Sequence, residues 1–308
     1  MNNDYLKIAY VVLHYKAIKV TVQCIEKILN IKSNDSSIVV VDNCSPDNSG
    51  DLLKKKYADR DDVCIILNTE NVGFAKGNNI GYSYARNVLK CNIVVDINND
   101  VFIDQPDFEK KIQEIILKDK SIGVISPVII NRKGNNQNPF RYNEKTTKKW
   151  KRQLFCTKVF KTGLSSHVFW KITLKILNRN NKEVRKKNVL NSRMIASIYN
   201  KKYKSENSCY GIVPHGSCVI FTPAFLAVSS YGFVPITFFY CEEDILFDYL
   251  KMIRLKSFYS PSLYVGHMEK VSTNNSSTTE RDKAIFQMKS KADSIRALIH
   301  YRIKVRRA

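Results

Sequence analysis

At 308 residues the chain is long enough to bury a large core, as one large domain or one domain with appendages. Its apolar fraction of 44% excludes global disorder, but a formal net charge of +22 is unusual and needs its own explanation. Eight cysteines, at 24, 44, 64, 91, 156, 209, 218 and 241, show no CxxC or paired metal spacing, which argues for reduced thiols in a cytosolic protein over a disulfide framework or a zinc site.

The start, Met1-Asn2-Asn3-Asp4, lacks the basic and apolar regions of a signal peptide. No run of about 18 apolar residues occurs, so no spanning helix is expected. Residues 7–15, KIAYVVLHY, read as a first buried strand, and 18–29 as a helix with apolar spacing near 3.6. A second strand over 37–41 ends on Asp42-Asn43-Cys44-Ser45-Pro46-Asp47. A short helix over 49–57, a strand over 63–67 and a Gly/Asn-rich loop over 71–79 follow. The pattern then gives a helix over 80–89, a strand over 93–95, a helix over 108–118 and a strand over 122–130. Alternation with short links predicts a parallel sheet with helices on both faces.

Residues 141–207 break this rhythm. They hold 14 Lys and 5 Arg against three Glu, a net +16 of the chain's +22. They show no clear strand, and a helix near 168–177 would have one apolar and one lysine face. The segment reads as a largely helical insertion in a domain spanning 1–280. The strand pattern resumes over 213–222, and residues 281–308 carry a basic, amphipathic helix over 281–307.

Four places along the chain are suited to chemistry. Val94-Val95-Asp96-Ile97-Asn98-Asn99-Asp100 is a strand rising into amide and carboxylate groups. Such a strand end lies at the carboxyl edge of a parallel sheet, where open α/β folds bind ligands. Its hard oxygens suit Mg²⁺ or Mn²⁺, although an Asn-rich turn has the same composition. Asp42 at its strand end can accept from a uracil or thymine imide or from a ribose hydroxyl, or it can close an Asx turn. Asn71-Val72-Gly73-Phe74-Ala75-Lys76-Gly77-Asn78-Asn79 opens a helix whose N-terminus favours anions, and its glycines allow close backbone approach. Capping alone would also explain the asparagines. Tyr240-Cys241-Glu242-Glu243-Asp244 sets three carboxylates in a row, either a general-base site with a raised pKa or an acidic helix start. His267 ends a further strand-like run; His215, before Gly216-Ser217, has no such company. A GxGxxG after the first strand and a Walker A sequence are both missing, which disfavours dehydrogenases and P-loop NTPases.

In this order and spacing, these motifs resemble the family 2 glycosyltransferases of GT-A fold, in particular the rhamnosyltransferase-like group, over roughly residues 6–135 and 210–275. The resemblance implies a nucleotide-sugar-binding α/β fold with a mainly parallel sheet. Asp42 would read the base, with Asn43 beside it and His14 and Tyr15 near the nucleotide. Gly73, Phe74, Lys76 and Asn78 would flank the nucleotide-sugar. Asp100 matches the last Asp of the DxD metal motif, whose first acidic position is Asn98 here. His267 matches a late His that completes the metal site. Glu243 matches the catalytic Asp by its spacing from Tyr240; Asp244 is a rival, and Glu242 is the third carboxylate of the cluster. The implied activity is an inverting, Mn²⁺- or Mg²⁺-dependent transfer from a UDP- or dTDP-sugar to a glycan acceptor, plausibly lipid-linked, in bacterial surface polysaccharide synthesis. The basic segment and terminal helix suggest docking on the anionic inner face of the cell membrane, hence a cytoplasmic, peripheral protein. A nucleic-acid-binding protein would account for the charge but leave the carboxylate motifs unexplained, so no nucleic acid is expected as a partner. An inactive scaffold of the same fold would account for Asn98 and Glu243 as decay.

Overall fold

Runs of β-branched residues make the first half of the sheet in the computed structural model, which describes residues 6–164, 166, 169–171, 191–268 and 279–305. β1 (Ile8–His14), β2 (Ser37–Asp42), β3 (Val63–Leu67) and β4 (Ile93–Asn98) lie in the order β3-β2-β1-β4, all parallel. The central three are covered on both faces, which is why they read as continuous apolar runs. The register sets His14 opposite Asp42 and Leu13 opposite Asn98. Three strand ends therefore meet at one edge.

The second half of the sheet is mixed. β5 (Val101–Phe102) and β7 (Cys209–Tyr210) both pair antiparallel with β9 (Lys256–His267). β6 (Ile122–Asn131) runs parallel to β9, and β8 (Cys218–Phe221) lies antiparallel between β4 and β6. The parallel expectation thus holds for the first four strands and stops at β8. Its direction follows from chain geometry. The chain leaves β6 at the edge where β4 and β9 end, and returns at that edge to enter β8, so β8 must run backwards. No helical crossover of the kind parallel neighbours need is then required.

Helices cover both faces. α1 (Ile18–Leu29), α2 (Ser49–Lys56) and α4 (Phe108–Lys118) share one core, with Thr21, Cys24, Ile25 and Ile28 forming the buried stripe of α1. α3 (Gly73–Asn87), α5 (Thr147–Leu164), α7 (Pro223–Val228), α8 (Glu242–Met252) and α9 (Glu280–Val305) pack into the other. Between α5 and α7 in the chain, α6 (Ser192–Lys202) joins a smaller cluster through Ile195 and Tyr199. α7 starts as its sequence dictates, with Thr222 capping the Phe225 N–H and Pro223 in the first turn.

One further sequence expectation changes. The stretch 71–79 is not a loop, because α3 begins at Gly73, seven residues before the expected start. Its glycines, poor helix formers, are retained by packing: a Cβ on Gly77 would meet Leu13 at 2.7 Å, and one on Gly81 would meet Val11 at 2.4 Å. In the basic segment, α5 and α6 are present, while most of the expected helix at 168–177 lies outside the described residues.

α9 is tied down by one arginine. The Arg302 Nε donates to Asp248 at 2.5 Å and its Nη2 donates to the other carboxylate oxygen at 3.1 Å, a bidentate pair on α8. Burial pushes the Asp248 carboxyl up to about 6 even so. Arg302→Ala leaves that carboxyl buried and unpaired, at a cost of roughly 3–5 kcal/mol. Tm should fall by roughly 5–8 °C in thermal unfolding. Replacing both partners by apolar residues, Arg302→Met with Asp248→Leu, should recover most of the loss; no recovery would mean that Arg302 acts mainly through Glu144 and the Lys145 carbonyl.

Candidate functional site

The β1–β2 part of the strand edge is built from short side chains that hold one another. Asp42 accepts from the Ser45 hydroxyl at 2.5 Å and from the Ser45 N–H, an Asx turn that keeps the carboxylate at the strand end. The same Ser45 hydroxyl accepts from the Lys16 N–H at 2.8 Å, which joins the loops after β1 and β2. Gly50 leaves room for Asp42, since a Cβ there would stand 2.4 Å from Oδ2. Tyr15 is half-buried in the first of these loops, 5.3 Å from the Lys16 ammonium.

The side chains of His14 and Asn43 are held by protein partners. The His14 ring is fully buried, bonded to Thr21 at 2.7 Å and Ser49 at 2.9 Å. Burial lowers its pKa, against the pull of Asp42 and Asp47. The Asn43 amide bonds Asn71, the Gly73 carbonyl, Asn68 and the Val72 N–H. Both residues support the site from below. Gly73 has φ +83°, and a Cβ there would meet the Phe238 carbonyl at 2.6 Å. Phe74 donates its N–H to that carbonyl at 2.7 Å, so this pair clamps the segment before α8. Lys76 is exposed on the first turns of α3. Asn78 is buried, yet neither of its amide atoms has a hydrogen-bond partner. Such an orphan costs about 1–3 kcal/mol, a cost that a bound polar ligand can remove.

Asn98-Asn99-Asp100 divides its labour. Asn99 turns inward and donates to Thr21 at 2.9 Å, joining the His14 network. Asn98 is half-buried at the edge. Asp100 meets His267, with Oδ1 3.3 Å from Nε2. β5 causes this meeting by pairing Val101 with His267. The His267 Nδ1 lies 2.7 Å from the Gln137 amide oxygen. With Nδ1–H donated to that oxygen, Nε2 faces the Asp100 carboxylate, and either its own proton or a metal cation can bridge the two. Asp100 and His267 therefore fit a divalent ion as two ligands. Among the described residues no group of three or more His, Cys, Asp or Glu could hold one. Substrate oxygens and water would have to complete the shell, as is usual for Mg²⁺.

The three carboxylates of α8 have three different surroundings. Glu242 is buried and accepts from the Thr237 hydroxyl at 3.0 Å; burial, then Glu243, pushes its carboxyl up to about 8. Asp244 is buried and paired with Arg141. Glu243 alone keeps some access to solvent. Its Oε1 lies 3.0 Å from where a Cβ on Gly216 would be, so a larger residue there would make Glu243 shift by a few tenths of an ångström. Burial raises its pKa, and the Gly216 N–H and its own backbone N–H oppose the rise. Just before the cluster, Tyr240 and Cys241 hold φ of 76° and 70°. Left-handed backbone at two adjacent non-glycine residues is strain of the kind found at functional sites.

Two contributors escape sequence reasoning. His215 packs edge-on to His267, centroids 5.9 Å apart, and edge-on to Phe140. The Ser217 N–H points at its Nδ1 at 3.2 Å, which places the ring proton on Nε2. Burial, with His267 beside it, pushes its pKa down to about 3, so the ring is a neutral N–H donor. The signal available in sequence was the His-Gly-Ser run before β8. Arg141, which holds Asp244, gave no signal within a basic segment.

Comparison with known proteins agrees with this geometry. The family model "Glycosyl transferase family 2" matches residues 10–178, more than half of the chain. A curated relative, the low-salt glycan biosynthesis hexosyltransferase Agl10 of Haloferax volcanii, is 33% identical over 112 residues, 35% of this chain and 34% of the relative. The chain thus spans about a third of that relative's length. Among solved structures, S. aureus TarS 1-349 matches with a TM-score of 0.51 at 14% identity, covering 94% of this chain and 72% of that one. GalNAc-T7 with UDP, GalNAc and Mn²⁺ matches with a TM-score of 0.55 at 13% identity, covering 93% and 48%. These likenesses show the GT-A fold, and with the family match they establish that the protein belongs to glycosyl transferase family 2.

Proposed function

We propose that this family member is an inverting transferase that moves a sugar from a nucleoside-diphosphate donor to a hydroxyl of a glycan acceptor. The observation that carries the reading is Glu243. It is the one carboxylate of its cluster left accessible, it has a raised pKa, and the His215-Gly216-Ser217 turn joins it to the Asp100–His267 pair. Glu243 takes the proton from the acceptor hydroxyl. The oxygen attacks the anomeric carbon from the face opposite the diphosphate, and the bond to the diphosphate oxygen breaks with its electron pair. One displacement inverts the anomeric centre. Asp100 and His267 would hold a Mn²⁺ or Mg²⁺ ion, which when bound supplies positive charge to the departing diphosphate. The neutral His215 offers an N–H to the same region without adding charge.

A UDP- or dTDP-sugar is the proposed donor. Support comes from the orphaned Asn78 amide and the Asp42 turn on the donor side, and from UDP in the TarS and GalNAc-T7 structures. The acceptor is proposed to be a growing, lipid-linked surface glycan, built at the inner face of the cell membrane. The glycan-biosynthesis role of the archaeal relative supports that class. The rhamnosyltransferase-like grouping belongs to the same proposal.

Glu243→Gln should keep donor binding and lower turnover by about 10²-fold or more. Asp244→Asn should instead reduce stability, by loosening Arg141. A dead Asp244→Asn of normal stability beside an active Glu243→Gln would move the base one residue along. The raised pKa also fixes the sign of the pH dependence. The base must be ionised to act, so kcat/KM should rise with pH, with its acid limb above the usual Glu value of about 4.3. A limb at or below that value would exclude Glu243. Asp100→Ala should abolish the Mn²⁺-dependent part of UDP-sugar binding in calorimetry. Unchanged affinity with and without Mn²⁺ would remove Asp100 from the site.

A further inference from the structure

We infer that α5, the first half of α9 and the aromatic turn 238–240 form a face that docks on an anionic lipid bilayer. The two helices lie antiparallel. Arg281 donates to the Leu164 carbonyl at one end, and Arg302 donates to the Lys145 carbonyl at the other. α5 turns Trp150, Thr157 and Leu164 inward. Its outer face carries Lys148, Arg152, Phe155 and Val159, at successive spacings of about one turn. Phe155 is 68% exposed and Val159 is 55% exposed, so nothing in the described structure covers them. From Lys145 to Lys182 the sequence has no Asp or Glu at all. A helix that only faces water usually interleaves both signs of charge. Cationic side chains mixed with exposed aromatic and aliphatic ones are the signature of a helix lying in a lipid interface.

The face continues to the reaction site. Phe286 on α9 is 50% exposed, and its ring stands 6.3 Å from Phe238. Phe238, Phe239 and Tyr240 are each more than a third exposed. Ser294 of α9 donates to the Phe239 carbonyl at 2.6 Å and so holds the turn against the helix. That turn leads directly into Glu242-Glu243-Asp244. The positive, aromatic-bearing face of α5, with the exposed aromatics of the turn, matches a negative, apolar-cored sheet of lipid in both charge and hydrophobicity, while the first half of α9 adds Phe286 and carries both signs of charge, with Glu280 and Asp282 beside Arg281 and Lys283. Delivery of a lipid-linked acceptor to Glu243 rests on the reaction proposed above; the docking itself does not.

The test is co-sedimentation of the full chain with phosphatidylcholine vesicles, with and without phosphatidylglycerol, over a range of salt. Binding should require the anionic lipid and weaken as salt rises, because the charges are screened. Lys148→Glu with Arg152→Glu should weaken it by about 10-fold or more. Phe155→Ser with Val159→Ser should weaken it at all salt concentrations. None of these residues touches the reaction site, so donor hydrolysis should be unchanged and shows that each variant is folded. Equal recovery with neutral and anionic vesicles, no recovery with either, or displacement by single-stranded RNA at lower concentration than by lipid would each overturn the docking. A chain that binds vesicles but never turns over a donor would overturn the reaction and leave the docking standing.

Discussion

Three consecutive carboxylates cannot be buried together unless each finds its own answer to desolvation and mutual repulsion. That constraint organises the second half of this molecule. Glu242 is answered by Thr237 in the preceding turn, Asp244 by Arg141 at the start of the basic segment, and Glu243 by backbone N–H groups over Gly216. Two distant stretches of chain, around Arg141 and Gly216, converge on the first turn of α8 as a result. The helix start also favours negative charge there. On the proposed reading, chemistry falls to Glu243, the member left partly accessible. A carboxylate locked to an arginine is a poor base, and one held by a hydroxyl deep in the core is out of reach.

The direction of β8 matters as much as its residues. Because the chain re-enters at the ligand edge, His215-Gly216-Ser217 lies beside the ends of β4 and β9. The Asn98 N–H donates to the Ser217 carbonyl at 3.0 Å, and the Met268 N–H donates to the Asp100 carbonyl at 2.9 Å. These backbone bonds position Asp100, His267 and His215 relative to one another before any ligand arrives. The buried chain from His14 through Thr21 to Asn99 does the same for the donor side, fixing the end of β4 against α1. Preorganised dipoles of this sort need not rearrange as charge develops on a leaving group.

Much of this was legible from residue patterns because it rests on local rules. The β-branched strands, the 3.6-spaced stripe of α1 and the carboxylates at strand ends follow from period and position. The start of α3 was not legible, since Gly73-Phe74-Ala75-Lys76-Gly77-Asn78 has loop composition. It is helical because Val11 and Leu13 need close neighbours without a Cβ. His14 and Asn43 lie at the site as their positions imply, but their side chains are spent on Ser49, Thr21 and the 68–73 backbone. Which way a strand-end side chain turns depends on partners many residues away. Arg141 is one of 19 basic residues in its segment, and only the fold singles it out.

The same segment serves two purposes that physics would otherwise set apart. Arg141 is drawn inward by Asp244 and lies over Phe140 at 4.4 Å, while Lys148, Lys149 and Lys151 on α5 are exposed. A surface charged enough to seek an anionic bilayer repels itself, and the exposed part of that repulsion is relieved only by counter-charge. The inward part is relieved by α8. The carboxylate cluster therefore neutralises the root of the basic segment, while Arg141 at that root holds Asp244 in an ion pair. Removing either would disturb the other, so the charge of the segment and the start of α8 are linked through one buried ion pair.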